Sequence, residues 1–178
     1  RLLSKFYRFA MENHLTDSNP AESISTPKLV PKHPRFFSVE ELNRIYLASK
    51  QPYTDIFRFL ANTGIRSGEL ANMKWEHWNE ELSMLLIPVI HGDRKQRRCG
   101  NKRKREHLVP LNTTAVEVLR HRKREHPFGE YVFTNGIGNP LDNDNIYKVL
   151  KPILKKLNIN GACVHTFRHT YASHLVIA

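Results

Sequence analysis

The sequence holds two cysteines in 178 residues, Cys99 and Cys163, without CxxC spacing, so it offers neither a disulfide framework nor a zinc site. No run of about 18 apolar residues occurs, which excludes a recognisable transmembrane helix. The opening Arg1-Leu-Leu-Ser-Lys-Phe-Tyr-Arg8 lacks the apolar core of a signal peptide, and a soluble cytoplasmic protein is expected. Acidic residues are scarce: 17 Asp and Glu face 28 Lys and Arg, a formal net charge of +11. That imbalance favours a polyanionic partner, nucleic acid first and an anionic membrane surface second. The few carboxylates form no cluster at metal-ligand spacing, which argues against a two-metal nuclease; no metal and no cofactor are expected. What is present in quantity is apolar content, 40%, enough for a sizeable core.

Residues 1–14 place Leu2, Leu3, Phe6, Phe9 and Ala10 on one side of a helix and Lys5, Arg8 and Glu12 on the other, with Asn19-Pro20 ending it. Residues 17–35 contain Pro20, Pro27, Pro31 and Pro34 and read as an extended linker. The expected organisation is therefore 1–20 as the last helix of a preceding domain, 21–36 as a linker and 37–178 as a second domain. Ser38-Val-Glu-Glu41 is a capping box, with Leu42, Ile45 and Tyr46 following at helical spacing. A further apolar helix through Ile56, Phe57, Phe59 and Leu60 would end at Gly64 in the left-handed conformation. Ser67 would cap a short helix beginning at once, which puts Arg66 in a tight corner between helices.

Leu82–Ile90 and Glu106–Leu111 read as strands, Tyr131–Phe133 as a short extended piece. Thr113 or Thr114 would cap a helix to about Glu125. Asp142 opens another through Ile146, Val149, Leu150, Ile153 and Leu157, with Pro152 expected to kink or break it. No internal repeat is visible. The fold expected is α+β, mainly α, with helices around a small three-stranded antiparallel sheet.

Chemistry concentrates in three places. Near the end, His165, Arg168 and His169 share one face of a helix, a face suited to a phosphate, while Phe167, Tyr171 and Leu175 fall at apolar spacing and are expected in the core. Alone, this stretch reads more readily as an ordinary packed helix with solvated histidines. Between Arg94 and Arg105 eight of twelve residues are Lys or Arg and none is acidic. Set between two candidate strands, such a run is either a solvated loop or a finger contacting phosphates through counterion release. Arg66 supplies a second constrained guanidinium. Two arginines converging on one phosphate could hold both non-bridging oxygens and stabilise a pentacoordinate transition state without metal. Glu69, one turn on, either orients Arg66 through a buried ion pair or is an ordinary exposed glutamate.

Taken together these stretches resemble a known family. Thr63-Gly-Ile-Arg-Ser-Gly-Glu-Leu70 is similar to the first box of the tyrosine recombinases, the group of phage integrases and Xer-type recombinases. His165-Thr-Phe-Arg-His169 resembles their second box, and Lys102-Arg-Lys-Arg-Glu-His-Leu-Val-Pro-Leu111 their β-hairpin lysine segment. Phe9–Ala21 resembles the end of the family's core-binding domain and Pro34–Leu42 the start of its catalytic domain.

The resemblance implies site-specific recombination or integration on double-stranded DNA, by a tetramer, through a 3′-phosphotyrosine intermediate that requires neither metal nor ATP. It implies that Arg66 and Arg168 clamp the scissile phosphate and that Lys102 protonates the departing 5′ oxygen. His165 would transfer a proton or bind the phosphate, and Glu69 would support the clamp. Arg103, Lys104, Arg105 and His169 are expected on DNA. The hairpin is longer than the family's usual one, so Lys95 or Lys104 could replace Lys102. The third box and the nucleophilic tyrosine are expected beyond Ala178, which would leave residues 1–178 able to bind DNA but not to cleave it in cis. The other readings are a non-catalytic DNA-binding module of the same fold and a basic RNA-binding protein in which Arg66 and Arg168 have no reason to meet.

Overall fold

The structure, a computed structural model, describes residues 2–24, 34–89, 105–135 and 139–177. It divides into two units, Arg1–His33 and Pro34–Ala178. In the first, α1 (Leu2–Glu12) is amphipathic and buries Ala10 while Leu2, Leu3, Phe6 and Phe9 face outward. It ends before Asn19-Pro20: Leu15 N–H closes on the Ala10 carbonyl at 2.9 Å, and His14 takes the left-handed conformation, φ 56°. Asn19 instead reaches back to Ser4.

The second unit starts as its sequence dictates. Ser38 caps α2 (Val39–Ala48), its hydroxyl accepting the Glu41 N–H at 3.1 Å while the Glu41 carboxylate accepts the Ser38 N–H at 3.1 Å. Helix α3 (Tyr53–Thr63) is buried along Ile56, Phe57, Phe59 and Leu60 and stops at Gly64, φ 61°. A short α4 (Ser67–Ala71) follows, and its cap is Arg66, with Ser67 already in the first helical position.

The sheet has three antiparallel strands in the order β1 (Trp78–Asn79), β2 (Met84–Ile87), β3 (His107–Pro110). Pairing Leu85 with Val109 and Ile87 with His107 puts Leu85, Ile87 and Val109 inward, the period-two alternation of a one-sided sheet. The third strand is Trp78–Asn79. The Tyr131–Phe133 segment lies outside the sheet, making one antiparallel bridge from Tyr131 to Lys74 and burying Val132 and Phe133.

Helix α5 (Thr113–Glu125) is capped by Asn112, whose side chain accepts the Ala115 N–H, so neither Thr113 nor Thr114 is the cap. Helix α6 (Asn143–Lys156) is capped by Asp142 and runs through Pro152 without breaking. Pro152 and Lys148 are both exposed, so the proline sits on the outer side of the helix. The last helix, α7 (Val164–Ile177), packs on α3, and α3 also packs on α5. Phe167 lies between Phe57 (centroids 5.4 Å apart, planes within 10°) and Phe37 (4.9 Å), and all three are fully buried. Burying rings of this size is worth roughly 1.5–3 kcal/mol each and fixes α7 against the core. Among the described residues no helix is long and apolar enough to cross a membrane.

Candidate functional site

Arg66 leaves the α3–α4 corner with its backbone extended, φ −76° and ψ 148°. Glu69 holds it twice: one carboxylate oxygen accepts the Arg66 backbone N–H at 2.9 Å, and the other accepts Nη1 of the guanidinium at 2.7 Å. The Glu69 side chain is 1% exposed and that of Arg66 24%, so the ion pair is anchored at its acidic end and open at its basic end. A carboxylate in the third helical position also suits the positive end of the helix dipole. With Nη1 committed inward, the other guanidinium N–H groups can serve an anion at the surface.

Helix α7 presents His165, Arg168 and His169 as exposed side chains, at the spacing that gives them one face. Arg168 Nη1 donates to the Gly64 carbonyl, a bond between residues 104 positions apart. It ties α7 to the corner that carries Arg66 two residues later. Gly64 is needed there for two reasons: its φ is positive, and a Cβ would collide with the Tyr171 ring lying over it. Tyr171 is half-buried in this packing and Leu175 is 63% exposed, so only Phe167 of the expected apolar trio is in the core. Helix α7 turns Tyr171, Ala172 and Leu175 toward a groove.

That groove, of about 320 Å³, is walled by Thr63, Gly64 and Ile65, by strand β3, and by Arg168, Tyr171, Ala172 and Leu175 of α7. Three segments far apart in sequence thus meet: the corner, the strand that follows the basic run, and the arginine helix. Arg105 is exposed just before β3. Lys95, Lys102, Arg103 and Lys104 lie outside the described residues. The Gly64 carbonyl was not legible in the sequence, because a main-chain acceptor has no side-chain signature; the glycine itself was the signal.

Residues 35–178 match the model of the phage integrase family. The chain belongs to that family. Among its relatives, a tyrosine recombinase XerC of Pediococcus pentosaceus is 31% identical over 98% of this chain and 60% of its own length. A tyrosine recombinase XerD of Halalkalibacterium halodurans is 26% identical over 98% of this chain and 59% of its own. The chain thus spans about 60% of the curated relatives it matches. A crystal structure of a lambda integrase dimer bound to a COC' core site superposes with a TM-score of 0.76 at 20% identity, covering 96% of this chain and 48% of the integrase chain. That likeness establishes the integrase catalytic-domain fold, helices around a three-stranded antiparallel sheet.

Proposed function

We propose that this phage integrase family chain contributes to site-specific recombination of double-stranded DNA, with Arg66 and Arg168 gripping the scissile phosphate. The observation that carries the reading is the bond from Arg168 to the Gly64 carbonyl, which brings the second arginine to the corner of the first. Two guanidinium groups there would neutralise both non-bridging oxygens and the charge added on in-line attack. Glu69 fixes the direction of Arg66. His165, one turn before Arg168, would bind the phosphate or move the nucleophile's proton. Lys102 would protonate the leaving 5′ oxygen.

In this reading a tyrosine hydroxyl attacks the phosphate, the 3′ side becomes a phosphotyrosine and the 5′ oxygen departs. A second strand's 5′ hydroxyl then reverses the exchange, so the phosphodiester energy is conserved. None of the chain's six tyrosines is assigned as that nucleophile. Tyr171, nearest in sequence to Arg168, has its ring packed over Gly64.

Residues 1–20 would end a core-binding domain, 21–36 would link it, and 37–178 would carry the catalytic residues. Arg105 and His169 would contact the backbone beside the site, within a tetramer on DNA in the cytoplasm. The test is strand cleavage by the full-length gene product on a nicked substrate that traps the covalent complex. Arg66→Ala and Arg168→Ala should each lose cleavage while still binding DNA; cleavage close to that of the unaltered protein in either variant refutes the clamp.

A further inference from the structure

Helix α7 has an exposed face bearing His165, Arg168 and His169, and an opposite one holding Thr166, Phe167 and Thr170, exposed 3%, 0% and 0%. Two threonines on the buried face make directed bonds. Thr166 Oγ1 accepts the Cys163 N–H at 2.9 Å and closes the first turn. Thr170 Oγ1 donates to the Thr166 carbonyl at 2.8 Å, which leaves its lone pairs for the Phe37 N–H, also at 2.8 Å. Phe37 is fully buried, and its ring packs against Phe167 one turn before Thr170. The segment before α2 is itself held, through the Arg35–Glu41 ion pair at 2.7 Å.

We propose that Thr170 is a positioning residue for the phosphate site: its hydroxyl, clamped between Phe37 and Thr166, sets the rotation of α7 and thereby the aim of Arg168 and His165. The proposal rests on the clamp reading above. The Phe167 packing anchors α7 to the core, and the Thr170 hydrogen bonds add a directional restraint on its rotation, because a hydrogen bond weakens steeply off axis. The lever is long. A helix backbone has a radius of roughly 2.3 Å and an extended arginine reaches about 6 Å further, so a roll of about 10° moves the guanidinium by about 1.5 Å. A displacement of about 1 Å at a reacting centre can slow catalysis on the order of 100-fold.

The experiment measures single-turnover cleavage at saturating full-length protein, together with the Kd for the same DNA, for the unaltered protein, Thr170→Val, Thr170→Ser and Arg168→Ala. Thr170→Val preserves shape but neither donates nor accepts. It should slow cleavage tenfold or more, with Kd within about twofold, since the phosphate contacts that dominate affinity lie mostly elsewhere. Thr170→Ser should recover most of the rate. If Thr170→Val does not fold, Thr170→Cys, a weaker donor and acceptor of similar size, should fall between serine and loss.

A valine variant that cleaves like the unaltered protein, or a serine variant as slow as valine, overturns the proposal. An active unaltered protein, an inactive Arg168→Ala and a normal Thr170→Val would sink the role of Thr170 alone. Absence of cleavage by the unaltered protein, or normal cleavage by Arg168→Ala, sinks the clamp and the role of Thr170 with it.

Discussion

Replacing Glu69 by alanine should cost more than any surface substitution on this chain. The carboxylate is 1% exposed and satisfies two groups, the Arg66 N–H and Nη1. Its removal takes away the helix cap, about 1 kcal/mol, and a charge-assisted hydrogen bond of about 1.5–3 kcal/mol. The Arg66 side chain keeps 24% exposure, so water recovers part of the second loss and a total of about 2–4 kcal/mol is expected. Glu69→Gln retains shape and one acceptor oxygen and should cost roughly half as much. At about 2–4 °C per kcal/mol for a domain of this size, the alanine variant should melt about 5–15 °C lower. Urea unfolding at pH 7 and thermal scans measure both. A Glu69→Ala protein within about 0.5 kcal/mol of the parent would refute the ion pair as the anchor of Arg66, because that is the range of ordinary surface changes.

Other outcomes follow from the same geometry. Gly64→Ala should cost about 1–2 kcal/mol for the left-handed backbone and more for displacing Tyr171; adding Tyr171→Ala should recover the second part, and strict additivity in the double mutant would contradict the contact. Burial pushes the Tyr46 phenol up to about 12. The unfolded chain releases that proton near pH 10 and the folded one near 12, so up to about 3 kcal/mol of stability should fade between those values. Tyr46→Phe should flatten that decline, and an unchanged pH profile would count against it. DNA affinity should fall steeply between about 50 and 200 mM salt if the 94–105 run contacts phosphates; a shallow slope in a fluorescence anisotropy titration speaks against that contact.

Much of this fold was legible because its punctuation is chemical. Ser38 with Glu41, Gly64 after α3 and Asp142 before α6 each satisfy backbone groups that a helix end leaves orphaned. Less legible are the places where two residues could do one job. Ser67 has the better capping side chain, but the buried Glu69 carboxylate secures the Arg66 N–H and shifts the cap back by one. Asn112 took the cap of α5 ahead of Thr113 and Thr114. Strand β1 has two residues, too few to show a period, and its pairing with β2 is a tertiary fact.

Pro152 reads as a kink or a break, and its helix runs on through it. At the site, Arg66, Glu69 and Arg168 stand in stretches that resemble the family's boxes. Arg168 reaches the Arg66 corner through a glycine carbonyl, which sequence patterns do not mark.

The most direct measurement replaces the scissile phosphate by a methylphosphonate, which removes one non-bridging charge, and compares cleavage by the full-length protein with that of Arg66→Ala and Arg168→Ala. If the two guanidinium groups act by neutralising that phosphate, each variant is inactive on the natural strand and regains cleavage on the neutral one. Variants equally inactive on both substrates, or active on the natural one, would contradict a two-arginine clamp.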